Sequence, residues 1–283
     1  MKHIGTHVSA AGGVSVSPKL AHARGGGAFA FFLTAPRTFT TKPLSPQEVD
    51  NFKEACNLLG FNRESALLPH GNYLINLASA KPDTFAKGQS LFHDELKRCN
   101  QLGIKHYNLH PGSATIGSRE DAMSRVATAI NEAHALIPDV VILLENMSGQ
   151  GTTLGTTLDE LQSILQLVHD QSRVGICIDT CHIFAAGQYD LRERKEYERL
   201  ISDLEAKGLL QQVKAFHLND SKKGFAEKLD RHENLGKGTI GSSAFTWLMQ
   251  DPRLDEKIFI TETPSTGQEC IEELAQLIQW ASG

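Results

Sequence analysis

Short apolar, β-rich segments recur along the whole chain, with helix-favouring stretches between them. Eight segments have the apolar or β-branched character of buried strands: 4–8, 28–33, 66–68, 107–109, 140–144, 174–178, 213–218 and 258–260. Amphipathic or helix-favouring stretches separate them at 46–59, 84–102, 119–136, 157–168, 192–206, 242–249 and 268–280. Regular alternation of strand and helix indicates a parallel sheet with helical crossovers.

A closed barrel fits this alternation better than an open, doubly wound sheet. No Gly-x-Gly-x-x-Gly turn follows a strand, and the glycine run at 25–27 precedes one, where it cannot cradle phosphate. The 283 residues suit a single barrel, and no low-complexity or Pro-rich linker divides them. We therefore predict an α/β fold, a (β/α)8 TIM barrel, as one domain over residues 1–283, with its active site at the carboxyl ends of the strands.

Several helix boundaries are marked by local sequence. Ser45 precedes a first-turn proline, and Ser118 and Thr157 each precede acidic residues, as expected at helix N-termini. Gly60 and Gly103 follow helical stretches and are typical C-terminal stops. These signals predict short connections between the strand and helix units.

Composition restricts where such a protein works. No window approaches the ~18 consecutive apolar residues of a membrane helix, and the N-terminus lacks the apolar segment of a secretory signal. The five cysteines contain no Cys-x-x-Cys pair, so we expect neither disulfides nor a metal-binding role for Cys177 or Cys181. We predict a cytoplasmic protein that does not associate with membranes.

The net charge of −5 argues against a protein that binds nucleic acid through an overall positive charge. Bound divalent cations would change this balance locally, because the ion is often the largest charge in its site. A phosphodiester substrate therefore stays possible.

Six of the predicted strands end in side chains that can bind metal. The candidates at these ends are His70, His110, Glu145, Asp179 with His182, His217, and Glu262. A further pair, Asp230 and His232, lies two residues apart after the seventh strand, where an extended chain points both to one side. The set comprises five histidines and four carboxylates.

Each of these residues taken alone is more often a packed or solvated side chain than a ligand, and this applies equally to His7 at the end of the first strand. Together they are harder to explain without metal. Four carboxylates around one barrel mouth would repel each other unless cations were present. Two or three hydrolytic metal ions, zinc most of all, would suit imidazole and carboxylate ligands, and Mn²⁺ could occupy some sites.

Three motifs resemble endonuclease IV, the zinc-dependent apurinic/apyrimidinic endonuclease family, and the second and third of them are long and therefore specific. They are Gly-Ile-Cys-Ile-Asp-Thr-Cys-His at 175–182, His217-Leu-Asn-Asp-Ser-Lys222 with the following 230–238 segment, and His70-Gly-Asn-Tyr-Leu-Ile-Asn76. The segments 7–13 and 110–113 match as well, so the resemblance runs essentially end to end. It implies three Zn²⁺ ions per chain: one on His70, His110 and Glu145, a second on Glu145, Asp179, His217 and Glu262, and a third on His182, Asp230 and His232.

The resemblance also implies a reaction. Members of this family hydrolyse the phosphodiester 5′ to an abasic site in base excision repair, leaving a 3′-hydroxyl and a 5′-deoxyribose phosphate. Glu145 and Glu262 would be the catalytic residues. The implied partner is double-stranded DNA with abasic sites or blocked 3′ ends, the latter through 3′-phosphodiesterase activity, and we expect a monomer.

DNA contacts carried over from the family are Arg37, Tyr73 and Leu74, which would insert into the gap or the minor groove. The same region departs from the family pattern. Ala35, Pro36 and Phe39 stand in a loop that is usually more polar or basic and contains tryptophan, and Gly71 replaces an acidic or amide residue. We expect these departures to affect DNA binding rather than metal binding.

Two other functions fit parts of this sequence. A sugar isomerase or epimerase on the same barrel also gathers His, Asp and Glu around divalent ions, and fold alone does not choose between the two. The Asp230–His232 pair favours the nuclease, since a third cation suits phosphate charge. A damaged-DNA binding protein with structural metals is the second alternative.

Overall fold

Seven parallel strands form the main sheet of the computed structural model, which describes residues 1–283. In chain order they are β1 (His3–His7), β2 (Ala28–Ala30), β3 (His106–Leu109), β4 (Val141–Glu145), β5 (Val174–Asp179), β6 (Val213–Leu218) and β9 (Ile258–Thr261). Their order across the sheet is β2-β1-β9-β6-β5-β4-β3. Residues of these strands are almost all buried, which matches their near-continuous apolar sequences.

The eighth position of the barrel is filled by an irregular segment at 66–71. Phe29 N donates to Ala66 O at 3.0 Å on one side, and Asn108 N donates to Pro69 O at 2.9 Å on the other. The fold class is thus confirmed, but the prediction of a regular third strand at 66–68 is wrong. Pro69 has no N–H, so a continuous hydrogen-bond ladder cannot form there.

Nine α-helices surround the sheet. They are α1 (Ser17–Ala23), α2 (Pro46–Leu58), α3 (Pro82–Leu102), α4 (Arg119–Leu136), α5 (Leu158–Gln166), α6 (Thr180–Ala185), α7 (Arg194–Ala206), α8 (Ser242–Gln250) and α9 (Gln268–Ala281), with 3₁₀ turns at Val14–Val16, Gln171–Arg173 and Pro252–Leu254. The predicted caps are confirmed, because the side chains of Ser45, Ser118 and Thr157 each accept a hydrogen bond from a backbone amide in the first turn of the helix that follows. Two short helices, α1 and α6, were not predicted.

Packing between the sheet and the helices produces one cluster of 74 buried apolar residues. The parallel sheet supplies apolar side chains on both of its faces, and the core includes stacked rings such as those of Phe216 and Phe259, whose centroids are 5.1 Å apart. None of the helices is both long and apolar enough to span a bilayer. The packing of the helices against the sheet holds the strands in place, and the carboxyl ends of the strands define one face of the barrel.

A small hairpin on that face joins β7 (Asp220–Ser221) to β8 (His232–Glu233). The fully buried carboxylate of Asp220 holds the loop that follows, because it accepts hydrogen bonds from five backbone amides, those of Ser221, Gly236, Gly238, Ile240 and Gly241. A side chain at Gly238 would collide with this carboxylate, since a Cβ there would lie 2.5 Å from Asp220 Oδ1. The carboxylate thus fixes both ends of the hairpin that carries His232.

Replacing Asp220 with asparagine is expected to lower the free energy of unfolding by about 2–4 kcal/mol, because charge-assisted hydrogen bonds are lost and an amide nitrogen faces backbone donors. Urea denaturation followed by circular dichroism measures the change. Asp170→Asn, which makes the same change at an exposed turn, should have a much smaller effect. A D220N protein within about 0.5 kcal/mol of the wild type would show that these contacts contribute little.

Candidate metal centre

The structure brings all nine predicted ligands together at the carboxyl ends of the strands. Glu145 and Asp179 are the last residues of β4 and β5, His217 lies in β6, and Glu262 directly follows β9. His70 lies in the irregular segment at 66–71, His110 follows β3, and His182 lies in α6. Asp230 and His232 belong to the hairpin region. Residues up to 192 positions apart in the chain therefore share one site.

Glu145 lies at the centre of the site and is fully buried. Its Oε2 is 3.4 Å from His70 Nε2 and 3.2 Å from His110 Nε2. Its Oε1 is 3.4 Å from His182 Nδ1 and 3.1 Å from His217 Nδ1. One carboxylate thus faces four imidazoles, an arrangement suited to bridging two cations.

A second carboxylate, Asp230, connects two further imidazoles. Its two oxygens lie 3.2 Å from His182 Nε2 and 3.1 Å from His232 Nε2. Both nitrogens are shielded from solvent. The ring nitrogens and the carboxylate therefore converge on a common point, as donors to one metal ion do.

Hydrogen bonds at the opposite ring nitrogens fix the tautomers of three histidines. His70 Nδ1 lies 2.8 Å from Gly71 O, His182 Nδ1 lies 2.9 Å from Asn146 O, and His232 Nδ1 lies 3.2 Å from Glu262 O. Each carbonyl can only accept, so Nδ1 carries the proton when the ring is neutral. The Nε2 lone pair is then free for a metal, which is the usual support of a ligating histidine.

Three asparagines support the carboxylates, two by donating to them and Asn146 by holding the backbone of Asp179, and sequence reasoning gave them no role. Asn108 Nδ2 donates to Glu145, Asn219 Nδ2 donates to Asp179 Oδ2 at 2.7 Å, and Asn146 Oδ1 accepts from the Asp179 amide at 2.6 Å. All three are buried. They could have been identified in the sequence by their position, because each lies within two residues of a predicted ligand.

The ligand atoms fall into overlapping groups. His182, Asp230 and His232 form one group with ligand atoms within 4.8 Å of one another, as expected for the third ion. His70 groups with Glu145, His217 and Glu262, and Glu145, which the resemblance shares between two ions, also groups with Asp179 and His182. Cys181 lies beside Asp179 and His232 as well, but burial raises the pKa of its thiol to about 12, so it is neutral here.

Carboxylates raise the pKa values of the clustered histidines. Burial by itself would lower the pKa of His232, but its hydrogen bond with Asp230 and the charge of Asp179 raise it to about 9. The surrounding carboxylates likewise raise the pKa values of His70 and His182 against the effect of burial. Despite burial, the pKa of His217 is raised by Cys177 and by the carboxylates of Glu262 and Glu145. Without metal, protons can therefore supply the positive charge that this site requires.

The metal-free protein is expected to lose stability between pH 7 and pH 8. A histidine with a raised folded pKa stabilises the fold below its unfolded value, near 6.5, and loses that contribution as the pH rises through its folded value. For His232 the loss over this interval is about 1 kcal/mol, and the other three histidines act in the same direction. Differential scanning fluorimetry of chelator-treated protein measures the expected fall in melting temperature.

Between pH 7 and pH 8, the clustered histidines contribute most of the expected change in stability. Burial lowers the pKa values of His7, His106 and His134 to about 4, so their effect is nearly complete by pH 7. Burial also lowers the pKa of Lys257 to about 8, and its deprotonation between pH 7 and pH 8 adds stability of only about 0.4 kcal/mol, less than the loss from His232 alone. A melting temperature that stays level or rises in metal-free protein from pH 7 to pH 8 would contradict the prediction.

The donor chemistry fits divalent zinc. Imidazole nitrogens and carboxylate oxygens are typical zinc ligands, and the hydrogen-bonded asparagines and carbonyls provide the outer support such sites require. The same donors also accept Mn²⁺. His7 belongs to the packing around the site, because its ring lies 4.8 Å from Phe32 and its buried Nε2 has no partner.

The three predicted DNA-contacting residues lie on loops beside this site. Arg37 and Tyr73 are exposed, whereas Leu74 is half-buried and packs against the core. The Tyr73 ring lies 5.5 Å from His70 and 6.1 Å from His110, measured between ring centroids. The geometry thus gives Arg37 and Tyr73 the access that a DNA contact requires and gives Leu74 less.

Comparison with known proteins yields matches over the full chain. The model of the xylose isomerase-like TIM barrel family matches residues 18–281. The crystal structure of endonuclease IV from Thermus thermophilus is 31% identical over 99% of both chains, with a TM-score of 0.86. A structure named AsfvAP:AG is 18% identical over 99% of both chains, with a TM-score of 0.73.

The same fold occurs in sugar-converting enzymes. A D-tagatose 3-epimerase-like protein is 17% identical over 98% of this chain and 97% of its own, with a TM-score of 0.72. At such low identity the likeness extends to the fold alone. Function must therefore be argued from the side chains of the site.

Proposed function

The chain belongs to the xylose isomerase-like TIM barrel family, with endonuclease IV among its relatives, and from this premise we propose that it is a DNA-repair endonuclease. Its reaction would be hydrolysis of the phosphodiester 5′ to an abasic site, giving a 3′-hydroxyl and a 5′-deoxyribose phosphate. The same chemistry would serve blocked 3′ ends. The proposal includes three zinc ions, held by the nine residues of the metal centre, and a monomer acting in the cytoplasm.

The observation that carries this proposal is the convergence of His182, Asp230 and His232 beside the Glu145 cluster. A proton shift on a sugar needs one or two cations, whereas a phosphodiester gains from a further positive charge on its oxygens. Asp220 holds the hairpin region that supplies Asp230 and His232, so the fold itself fixes the position of this third set of ligands.

Bound zinc ions would supply Lewis acidity and neutralise the phosphate charge. The side chains of the site divide the remaining tasks. Glu145 and Asp179 are inaccessible to solvent, but the Glu262 side chain is 15% exposed and faces the mouth of the barrel. Of the two carboxylates beside the His217 imidazole, Glu262 is therefore the one that can orient an attacking water, and Glu145 fixes the imidazoles around it.

Selectivity for an abasic site would come from the shape of the DNA, because a missing base offers no edge to read. Moving an unpaired sugar out of the duplex costs less than unstacking an intact pair. Arg37 and Tyr73 are exposed beside the site and are the residues we assign to the DNA, while half-buried Leu74 would support their loop. The positively charged metal centre would offset the net charge of −5 where the phosphate binds.

The proposal is tested with two 5′-labelled duplexes and one sugar. One duplex carries a single tetrahydrofuran abasic analogue and the other is undamaged, and a ketohexose serves as the competing substrate. We expect incision directly 5′ to the analogue, an intact undamaged duplex and an unchanged sugar. Epimerised sugar with intact DNA would favour the isomerase alternative, and tight binding of the lesion without incision would favour a DNA-binding protein with structural metals.

A further inference from the structure

Glu95 is a buried carboxylate that the proposed reaction does not use. It lies in α3, and its side chain is completely shielded from solvent. Its hydrogen-bond partners are all neutral groups, so the net stabilisation of an ion pair does not explain its burial. Because burying a carboxylate is costly unless its oxygens are well satisfied, the arrangement of these partners matters.

Three separate segments converge on this carboxylate. Thr34 Oγ1 lies 2.5 Å from Glu95 Oε1, the Asn72 backbone amide donates to Oε2 at 3.1 Å, and the Tyr107 hydroxyl donates to Oε2 at 2.6 Å. Thr34 opens the 34–38 loop after β2, Asn72 belongs to the 71–74 loop that follows His70, and Tyr107 lies in β3. Glu95 thus anchors both loops to a rigid strand.

The two loops are also joined directly to each other. Asn72 Nδ2 lies 3.1 Å from Thr34 Oγ1, 2.8 Å from Ala35 O and 3.2 Å from Thr38 O. The Tyr73 amide donates to Pro36 O at 3.2 Å. The exposed side chains of Arg37 and Tyr73 therefore project from one hydrogen-bonded unit, whose buried end is Glu95.

This network explains why position 71 is a glycine. A Cβ on Gly71 would lie 2.7 Å from the Tyr107 hydroxyl and 3.1 Å from Asn108 O. Any larger residue would therefore displace the phenol from Glu95 or move the loop. Gly71 therefore leaves free the space that the Tyr107 hydroxyl occupies when it donates to Glu95.

We propose that Glu95 is a positioning residue for DNA recognition, which holds the 34–38 and 71–74 loops in the arrangement that places Arg37 and Tyr73 on the duplex. The inference rests on the proposed function for its DNA partner. Ordering two loops before binding removes part of the entropic cost of association, so the network should affect DNA affinity more than the chemical step. The metal centre contacts this unit through the hydrogen bond between His70 Nδ1 and Gly71 O, which does not involve the Glu95 carboxylate, so we expect the centre to keep its ions.

Two substitutions at Glu95 separate hydrogen bonding from side-chain volume. Glu95→Met replaces the carboxylate with an apolar side chain of similar volume, so both acceptor oxygens are lost. Glu95→Gln keeps the network, because its amide oxygen can accept from Asn72 and Tyr107 while its amide nitrogen donates to Thr34 Oγ1. Asn72→Ala cuts the link between the loops without altering the core, and so covers the case in which the Met variant does not fold.

We expect E95M and N72A to raise KM for the abasic duplex roughly 10-fold or more, with kcat changed less than about 3-fold and metal content unaltered. Hydrogen exchange of the DNA-free proteins should show faster deuterium uptake in both loops together. E95Q should resemble the wild type in both measurements. Tyr197→Phe, which removes a comparable buried phenol–carboxylate bond to Asp251, serves as the control and should change neither quantity.

Unchanged exchange in both loops of E95M and N72A would overturn the inference. Faster exchange with unaltered KM would overturn the role in DNA recognition, and an E95Q protein as impaired as E95M would overturn its hydrogen-bonding basis. The exchange data are obtained without DNA. If the wild type fails to incise the abasic duplex, the proposed function fails by itself, and exchange still decides whether Glu95 holds the loops.

Discussion

Replacing Glu145 with glutamine is expected to remove at least one metal ion per chain and to lower incision at an abasic site on the order of 10³-fold. The reason is the position of this carboxylate, fully buried among His70, His110, His182 and His217. An amide has a similar shape but no negative charge, so cations held by these imidazoles lose the charge that compensates them. Metal content by mass spectrometry and single-turnover incision measure the two effects.

The matched control is Glu54→Gln, the same chemical change at an exposed position of α2. It should keep the wild-type metal content and rate. Circular dichroism establishes that both variants are folded. A folded E145Q protein with a full complement of metal and a rate within about 10-fold of the wild type would show that Glu145 is not the central ligand.

Replacing Glu262 with glutamine is expected to lower the incision rate by about 10²–10⁴-fold, the range typical of removing a positioned base. Glu262 lies 3.2 Å from His217 Nδ1, and of the carboxylates around that imidazole it is the one with access to solvent. We therefore expect a smaller effect on metal content than at Glu145 and a larger effect on kcat than on DNA binding. Single-turnover kinetics and fluorescence anisotropy with the abasic duplex separate these quantities.

Glu269→Gln provides the control for this prediction, because Glu269 is exposed in the first turn of α9, close in sequence to Glu262. It should incise at the wild-type rate. If E262Q loses DNA binding and keeps kcat at saturating duplex, Glu262 contributes to recognition and the water-orienting role is wrong.

Much of the fold and of the site could be predicted from local sequence. Apolar strands ending in His, Asp or Glu placed seven of the nine candidate ligands on one face, because the carboxyl ends of parallel strands meet there. Asp230 and His232 were added from their spacing in the loop after the seventh strand. The caps at Ser45, Ser118 and Thr157 followed from the residue type and the acids after it. In these cases the determining interactions lie within a few residues of each other.

Some local features were missed although their signals were present. No helix was predicted at His182, but it lies in α6, where the Asp179 side chain accepts from the His182 amide at 2.8 Å. The spacing Asp-x-x-His is that of an N-cap and its third helical residue, which would have predicted the helix. The break at 66–71 could similarly have been inferred from Pro69.

Other features depend on contacts between distant segments and could not be derived from the pattern. The arrangement of His70 with His217 and Glu262 results from the closure of the barrel. Glu95 appeared as one polar residue in an amphipathic helix, and its meeting with Thr34 and Tyr107 spans up to 61 residues. The departure at Gly71 likewise became intelligible only when the position of the Tyr107 hydroxyl was known.

The most direct test of the central claim is a zinc titration of metal-depleted protein, with metal content and incision of a tetrahydrofuran-containing duplex measured in the same samples. The nine converging ligands predict that incision 5′ to the lesion appears as the sites fill and reaches its maximum near three zinc ions per chain. Full incision without metal, or saturation at a single ion, would contradict the trinuclear centre. Three bound ions without incision would contradict the nuclease.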